Sequence, residues 1–321
     1  MNEEETSIEK TNKEETQKAF DAFLDLSDAE LDKRFKTPTW DFINKSEVRA
    51  VYDMINFKED NPLLEVGCGT GRLILPIQDK LEITGIDFSK SFLDKLGKKT
   101  DKIKLIEADI ENLPFEDNSF NSVLCVRVIQ HLSKRQQQLA INELARVLAP
   151  GGSLIMLNYN RWSLLNIYKF LCQNIGNNFW PYWPLKKWNW IIDDYNSIPE
   201  LTRMFHKAGV TVKNSKGAVF GEPDIIKAAM IEKPYNYMIS LSIFFSGLYF
   251  ATNGTFEKIN ISFESSVLLV SGILIFISSF YPFILNIYYW LCDKIELLLR
   301  NIPPFKYFFG RVVLRGLKNG K

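Results

Sequence analysis

The sequence predicts an α/β fold in which a parallel sheet is covered by helices on both faces. Two observations carry that prediction. Between Asn61 and Tyr159 short apolar runs alternate with amphipathic ones, five apolar runs in order and each bounded by turn residues. The first run opens into "GCGTG", with glycines at positions 67, 69 and 71, before another apolar stretch. At 321 residues the chain also exceeds one average domain, so an appendage beside the α/β part is expected.

Bulk composition excludes several classes. The 39 basic and 38 acidic side chains leave a net charge of +1, which provides no general field for nucleic acid. The cysteines, Cys68, Cys125, Cys172 and Cys292, have no paired spacing. Neither a zinc site nor a disulfide framework fits them, and reduced thiols in a cytoplasmic domain do. After Met1, residues 2–18 carry one large apolar side chain, Ile8, with no apolar stretch of signal-peptide type, so a solvated, disordered tail is expected there.

From Ala19 to about Asn61 the pattern is helical, in "AFDAFLDLSDAELDKRF" and "SEVRAVYDMINF". "PLLEVG" then reads as a strand, "GRLILPIQDK" as a helix, "EITGID" as a strand and "SKSFLDKLGKK" as a helix. The strands "KIKLIEAD" and "FNSVLCVRV", the helix "SKRQQQLAINELARVLA" and the strand "GSLIMLNY" follow. Residues 161–192 hold Trp162, Trp180, Trp183, Trp188 and Trp190, an aromatic stretch expected to form a lid. "SIPELTRMFHKAGVTVKNSKGAVF" reads as a capped helix stopped at Gly209 and followed by a strand.

Two charge-free runs come next, Pro234 to Phe256 and Ser265 to Cys292. Each is long enough for a helix of about 20 residues, which crosses a hydrocarbon core. Lys227 and Lys233 lie before the pair, and Lys294, Arg300, Lys306, Arg311 and Arg315 after it, so both flanks are expected to be cytoplasmic. An apolar helical hairpin over 222–306, with spans at 235–253 and 266–287, is therefore expected to attach the catalytic domain (19–221) to a membrane. Burial in protein or in the membrane surface is the alternative. The final 307–321 contains "GRVVLRGLK", which alternates like a strand rejoining the sheet.

A strand running through glycines into a turn presents backbone N–H groups to a ligand. The spacing is G-x-G-x-G, with Arg72 where the dinucleotide pattern G-x-G-x-x-G wants glycine. A nucleoside ligand therefore fits better than a pyrophosphate cofactor, and an NAD-dependent oxidoreductase is disfavoured. Asp87 ends the next strand, about 20 residues after Gly67, where a carboxylate can take the ribose hydroxyls. Asp109 ends the third strand, placed for an adenine amino group with Ile110 beside the ring.

The stretches "LLEVGCGTGRL", "TGIDFSKSFL", "EADIENLPFEDNSFNSVLCVRVIQHL" and "ARVLAPGGSLIM" together resemble the successive motifs of class I S-adenosylmethionine-dependent methyltransferases, closest in flavour to the ubiquinone and menaquinone C-methyltransferases. The resemblance spans about Asn61 to Tyr159, roughly a third of the chain. It implies a Rossmann-like, doubly wound, seven-stranded sheet with an antiparallel last strand, and S-adenosylmethionine as cofactor. Glu65, Gly67, Cys68, Gly69 and Gly71 would surround its methionine part, Asp87 and Phe88 its ribose side, and Asp109 and Ile110 its adenine. Arg127 and Val128 would lie near the sulfonium, with His131 beyond. The insertion before the last strand departs from the pattern.

Transfer from a sulfonium needs alignment and water exclusion, and a base only if the acceptor loses a proton. His131 is the candidate base, Tyr159 and Asn160 are candidate acceptor contacts, and His206 reads as helix surface. No metal site is visible. The lid tryptophans and the apolar runs point to a quinone, isoprenoid or lipid acceptor. Two other functions are compatible with the motifs. "VIQHLSKRQQQLAINELARVLAPGG" also resembles wobble-uridine tRNA methyltransferases, although the neutral charge argues against nucleic acid. A membrane scaffold that binds the cofactor without catalysis is the third.

Overall fold

The computed structural model describes residues 38–163, 195–220, 281–302, 305 and 309–320. The chain divides into two compact units, Met1–Gly221 with Asp293–Lys321, and Glu222–Cys292. The expected tail, the helical stretch 19–37 and nearly all of the aromatic lid lie outside the described residues, as do positions 235–253 and 266–280 of the expected spans.

Helix α1 (Pro38–Tyr52) precedes strands β1 (Leu63–Val66) and β2 (Ile83–Asp87). Then come α2 (Lys90–Gly97), β3 (Lys104–Glu107), β4 (Phe120–Val126), α3 (Lys134–Val147) and β5 (Leu148–Tyr159). Helix α4 (Ile198–Lys207), β6 (Val210–Ala218), α5 (Tyr281–Leu299) and β7 (Arg311–Lys318) complete the described order.

The seven strands form one sheet in the order β3-β2-β1-β4-β5-β7-β6. β1 pairs in parallel with both β2 and β4, and β7 runs antiparallel to both β5 and β6. This is the expected sheet, with its reversed last strand. The chain leaves β1 toward one edge and returns to its other side at β4, so a crevice opens at the carboxyl ends of β1 and β4.

Local sequence accounts for the elements. β1 and β2 are buried along their whole length, as strands covered on both faces must be. α3 and α4 both begin in a reciprocal capping box, Ser133 with Gln136 and Ser197 with Glu200, which satisfies backbone donors at each start. Gly209, at φ +76°, ends α4 as expected. On one face Ile141 and Leu144 of α3 and Leu201 and Phe205 of α4 pack with Leu64, Val123, Met156 and Leu314 of the sheet. Burial of each such side chain stabilises by about 1.5–3 kcal/mol.

α1 is tied to elements distant in sequence. Its buried stripe contains Ile43, Ser46, Glu47, Ala50 and Val51. Ser46 Oγ donates to Glu296 Oε1 at 2.6 Å, Arg49 pairs with Asp293 at 2.7 Å, and Tyr52 Oη donates to the Leu73 carbonyl at 2.6 Å.

One expectation changes. "GRLILPIQDK" is not an α-helix; it forms turns around one 3-10 turn, Leu75–Ile77. Pro76 lacks the N–H that a helix would need there, and its ring would crowd the preceding turn. As for the expected hairpin, α5 is a helix that carries Asp293, Lys294 and Glu296, and among the described residues no helix is long and apolar enough to cross a membrane.

Candidate active site

The loop after β1 turns on glycine. Gly67, Gly69 and Gly71 have φ of +71°, +51° and +84°, a region that side chains disfavour. A Cβ on Gly67 would stand 2.3 Å from Val128 Cγ2, whereas one on Gly69 would meet nothing within 4 Å. The first glycine is thus needed for packing against the turn after β4, and the second leaves open space beside the backbone. Asp87 Oδ2 accepts from Gly69 N–H and its Oδ1 from Ser89 N–H, each at 2.9 Å, so the carboxylate at the end of β2 also fixes the loop. Burial raises the Asp87 pKa, and the hydrogen bonds from Ser89, Gly69 and Phe88 oppose that rise.

Beyond β3, Asp109 Oδ1 accepts from Glu111 N–H at 3.1 Å and its carbonyl from Asn112 N–H at 3.0 Å, a tight turn that leaves Ile110 buried. Arg146 braces this loop. Its guanidinium donates to the carbonyls of Leu113 at 3.0 Å and Phe115 at 2.8 Å, and it pairs with Glu143 and Asp117.

Glu65, inside β1, is the unsettled group. It is 3% exposed, and its Oε2 is buried with no hydrogen-bond partner. Burial pushes its pKa up to about 8, with Arg72 opposing and Asp87 adding to the rise. Cys68 packs inward near Gly85, and burial raises its thiol pKa, so it serves packing rather than chemistry.

The other half of the crevice is made of side chains. Glu47 of α1 is fully buried and faces three guanidiniums: Arg72 at 2.8 Å, Arg127 at 3.5 Å and Arg311 at 3.4 Å. Burial alone would raise its pKa, but Arg127, Arg72 and Arg311 together hold it below the ordinary value. Tyr159 ends β5 directly opposite Arg311 in the antiparallel register, and the Arg311 guanidinium carbon lies 3.5 Å from its ring centroid. Tyr195 stacks on the same tyrosine at 5.1 Å. Arg127, held at φ +60°, reaches over both Trp40 and Tyr159, at 5.6 and 5.9 Å.

The residues expected from sequence thus divide. Glu65, Gly67, Cys68, Gly69, Gly71, Asp87, Phe88, Asp109, Ile110 and Val128 line or support the carboxyl ends of β1 to β4. Phe88 is 38% exposed beside Asp87. His131 ends a 3-10 turn, with Nε2 3.0 Å from Gln130 Nε2. Asn160 is buried and donates to the Phe309 carbonyl at 2.9 Å, a structural role. His206 is on exposed helix surface, as expected.

Sequence reasoning missed Trp40, Glu47, Tyr195 and Arg311. One signal was available for Glu47, an acid on the apolar stripe of an amphipathic helix, which burial obliges to find cations. A separate cleft of about 490 Å³, lined by Asp60, Asn121, Gly151 and Arg315 among others, lies at the amino ends of the parallel strands, away from this chemistry.

A crevice of this kind, opening at the switch point of a doubly wound sheet and lined by positive-φ glycines and strand-end acids, defines a nucleoside-binding enzyme. Comparison with known proteins gives the family. Residues 64–156 match a family model described as a methyltransferase domain. The demethylmenaquinone methyltransferase of Staphylococcus aureus (strain JH9) is 30% identical over 191 residues, covering 53% of this chain and 77% of that protein. A chain from the solved complex between the Haloferax volcanii Trm112 methyltransferase activator and a protein described as a methyltransferase aligns with a TM-score of 0.52 at 17% identity, covering 94% of this chain and 96% of that one. A SAM-dependent methyltransferase from Thermotoga maritima is 26% identical, covers 61% of this chain and 83% of that one, and has a TM-score of 0.46. The chain belongs to the class I S-adenosylmethionine-dependent methyltransferases.

The site fits that cofactor. The buried, unpartnered oxygen of Glu65 calls for a donor or cation, which the α-ammonium of S-adenosylmethionine would supply. The open space beside Gly69 admits a ligand against the backbone, and Asp87 offers acceptor oxygens for ribose hydroxyls.

Proposed function

We propose that this methyltransferase acts on a small, planar, hydrophobic acceptor of the quinone type. The observation that carries the proposal is the wall formed by Trp40, Tyr159 and Tyr195 with Arg127 and Arg311 laid over it. Flat aromatic faces and stacked guanidiniums suit a flat ring bearing polar oxygens. The likeness to a demethylmenaquinone methyltransferase supports the same acceptor class.

When bound, S-adenosylmethionine supplies a methyl group on a sulfonium that departs as a neutral thioether. The residues of this chain hold and align. The glycine loop, Asp87 and Asp109 would fix the cofactor, and Glu65 would take its ammonium. Val128, packed on Gly67, closes the floor between the two halves. The aromatic wall would orient the acceptor and exclude water, and alignment of this kind accounts for several kcal/mol of barrier.

Membrane attachment belongs to the same proposal and rests on sequence. The charge-free runs 234–256 and 265–292 suit a lipid-facing segment, which would deliver an amphiphile laterally.

The test combines fractionation with labelled-methyl transfer. Washed membranes and the soluble fraction are given labelled S-adenosylmethionine with total lipid extract, chemically reduced or oxidised, and separately with tRNA. Label in the organic phase, greater with reduced extract, supports the proposal. Label confined to tRNA assigns the protein to RNA modification instead. Cofactor binding with transfer to no acceptor leaves a non-catalytic scaffold.

A further inference from the structure

Exposed apolar side chains gather in one place on this molecule. Ten large apolar side chains are exposed among the described residues, and seven of them lie between Ile287 and Phe305. Scattered ones are ordinary on any surface, whereas a contiguous group marks a contact. Five sit on α5: Ile287, Trp290, Leu291, Leu297 and Leu298, the last 71% exposed. At about 100° per residue their spacing puts them within one arc of the helix, with Lys294 at its middle. Ile302 and Phe305 follow directly after the helix.

The opposite side of α5 is polar and held by protein. Asp293 pairs with Arg49 at 2.7 Å, and Arg300, just beyond the helix, pairs with Asp53 at 2.9 Å. Glu296 Oε1 accepts from Ser46 Oγ at 2.6 Å and its Oε2 from Phe220 N–H at 3.1 Å. Tyr289 and Cys292, on the same side, are buried. These ties run chiefly to α1 and fix the rotation of the helix, so that its carboxylates face the protein and its leucines face away. A surface helix facing water has the reverse arrangement. A helix with one ionic side committed to protein also cannot be lipid-exposed all round, as a lone span would be.

Three features select an anionic lipid surface as the occupant of that outward arc. The arc carries Lys294 and no carboxylate, because Asp293 and Glu296 both turn inward, and this suits anionic headgroups. In sequence the helix continues the charge-free run that begins at Ser265. The strip over Ile287–Leu298 is about 17 Å long and one helix wide. That is a smaller patch than the about 800 Å² per partner that a stable dimer buries.

Resting on the membrane-attachment part of the reading above, we infer that the outward face of α5, from Ile287 to Leu298 and on to Phe305, lies in the plane of an anionic leaflet. The helix rests on lipid and does not cross it. Trp290 and the leucines enter the boundary between headgroups and acyl chains, where an indole with one polar edge is stable. The stem of Lys294 lies along them with its ammonium among the phosphates. α1, tied to the other side of α5, is the helix that supplies Trp40 and Glu47. Lipid contact therefore fixes how the proposed acceptor half is oriented relative to the leaflet.

The experiment sediments the full chain with vesicles of phosphatidylcholine alone or mixed with phosphatidylglycerol. Partition into the mixed vesicles is expected to be at least about fivefold stronger. Leu298→Glu should lower it about tenfold and Lys294→Glu about fivefold. Leu139→Glu, at an exposed leucine of α3, should leave it unchanged. Equal S-adenosylhomocysteine affinity in all three variants checks that they fold. Position is read from Trp290, as the fluorescence difference between wild type and Trp290→Phe, which lipid brominated near the headgroup should quench. Failure to sediment with any vesicle would overturn the membrane-attachment reading together with this inference. Sedimentation without quenching of Trp290, or without response to Leu298→Glu, would overturn the inference alone. So would a lipid-free dimer that Leu298→Glu dissociates, which makes a second copy of the chain the occupant.

Discussion

The two halves of the crevice are built of different material. The cofactor half is backbone: three glycines at positive φ, N–H groups aimed at Asp87, and a turn locked under Asp109, all within consecutive strand–loop units. The half proposed for the acceptor is side chains: Trp40 and Glu47 from α1, Arg127 after β4, Tyr159 from β5 and Arg311 from β7. Backbone geometry tolerates little change, because a wrong dihedral displaces every donor after it. A side-chain cluster can be retuned one residue at a time. On the proposed assignment, the difference would separate a fixed reagent site from an adjustable substrate site on the same sheet.

The sharpest way to break the first half is Gly67→Val. A Cβ there collides with Val128 at 2.3 Å and the residue must keep φ near +71°, so S-adenosylhomocysteine affinity should fall on the order of 100-fold in calorimetry. An unchanged affinity would mean that the loop does not carry the cofactor.

Glu65→Gln should trade binding against stability. The folded-state pKa of Glu65 is raised to about 8 from 4.5, so the unfolded chain ionises first. Stability therefore declines between pH 4.5 and 8, and the glutamine variant should melt higher than wild type at pH 8 and equally at pH 4. Cofactor affinity should fall about tenfold, because a charge-assisted hydrogen bond to the ammonium is lost. Wild-type affinity should also rise from pH 6 toward pH 8 as Glu65 ionises more easily in the complex, and the glutamine variant should lose most of that slope. A glutamine variant with lower Tm and full affinity would contradict the assignment.

These effects bear on what the sequence made legible. The G-x-G-x-G spacing, Asp87 and Asp109 were readable because each follows a strand directly, and local periodicity places strand ends. The cap of the helix that starts at Ser197 and the stop at Gly209 were readable from local sequence too. The segment after the glycine loop misled, since its apolar pattern outweighed Pro76. Glu47 carried a local signal as an acid on an apolar stripe, but its meeting with Arg311 was invisible, because it depends on the reversed β7 lying next to β5, a contact that no local pattern encodes. The aromatic lid and the apolar spans are legible as composition, and most of their positions fall outside the described residues.

Smaller effects sharpen the comparison further. Arg146→Ala removes donors to the Leu113 and Phe115 carbonyls and two ion pairs that are about a third exposed at the arginine. It should cost about 1–2 kcal/mol by denaturant melt and weaken the cofactor a fewfold by loosening the adenine-side loop. His131→Asn should lower the methyl-transfer rate by about 100-fold or more if His131 acts as general base for the acceptor; a loss below about tenfold would rule that role out.

The most direct test of the division is a paired calorimetric titration with S-adenosylhomocysteine of Asp87→Ala and Arg311→Gln. Asp87 holds Gly69 and Ser89 and faces the ribose side, so its loss should weaken binding by about tenfold or more. Arg311 belongs to the acceptor half, and its glutamine variant should stay within about threefold of wild type. Equal losses in the two variants, or a larger loss in Arg311→Gln, would contradict the separation of a backbone-built cofactor site from a side-chain-built acceptor site.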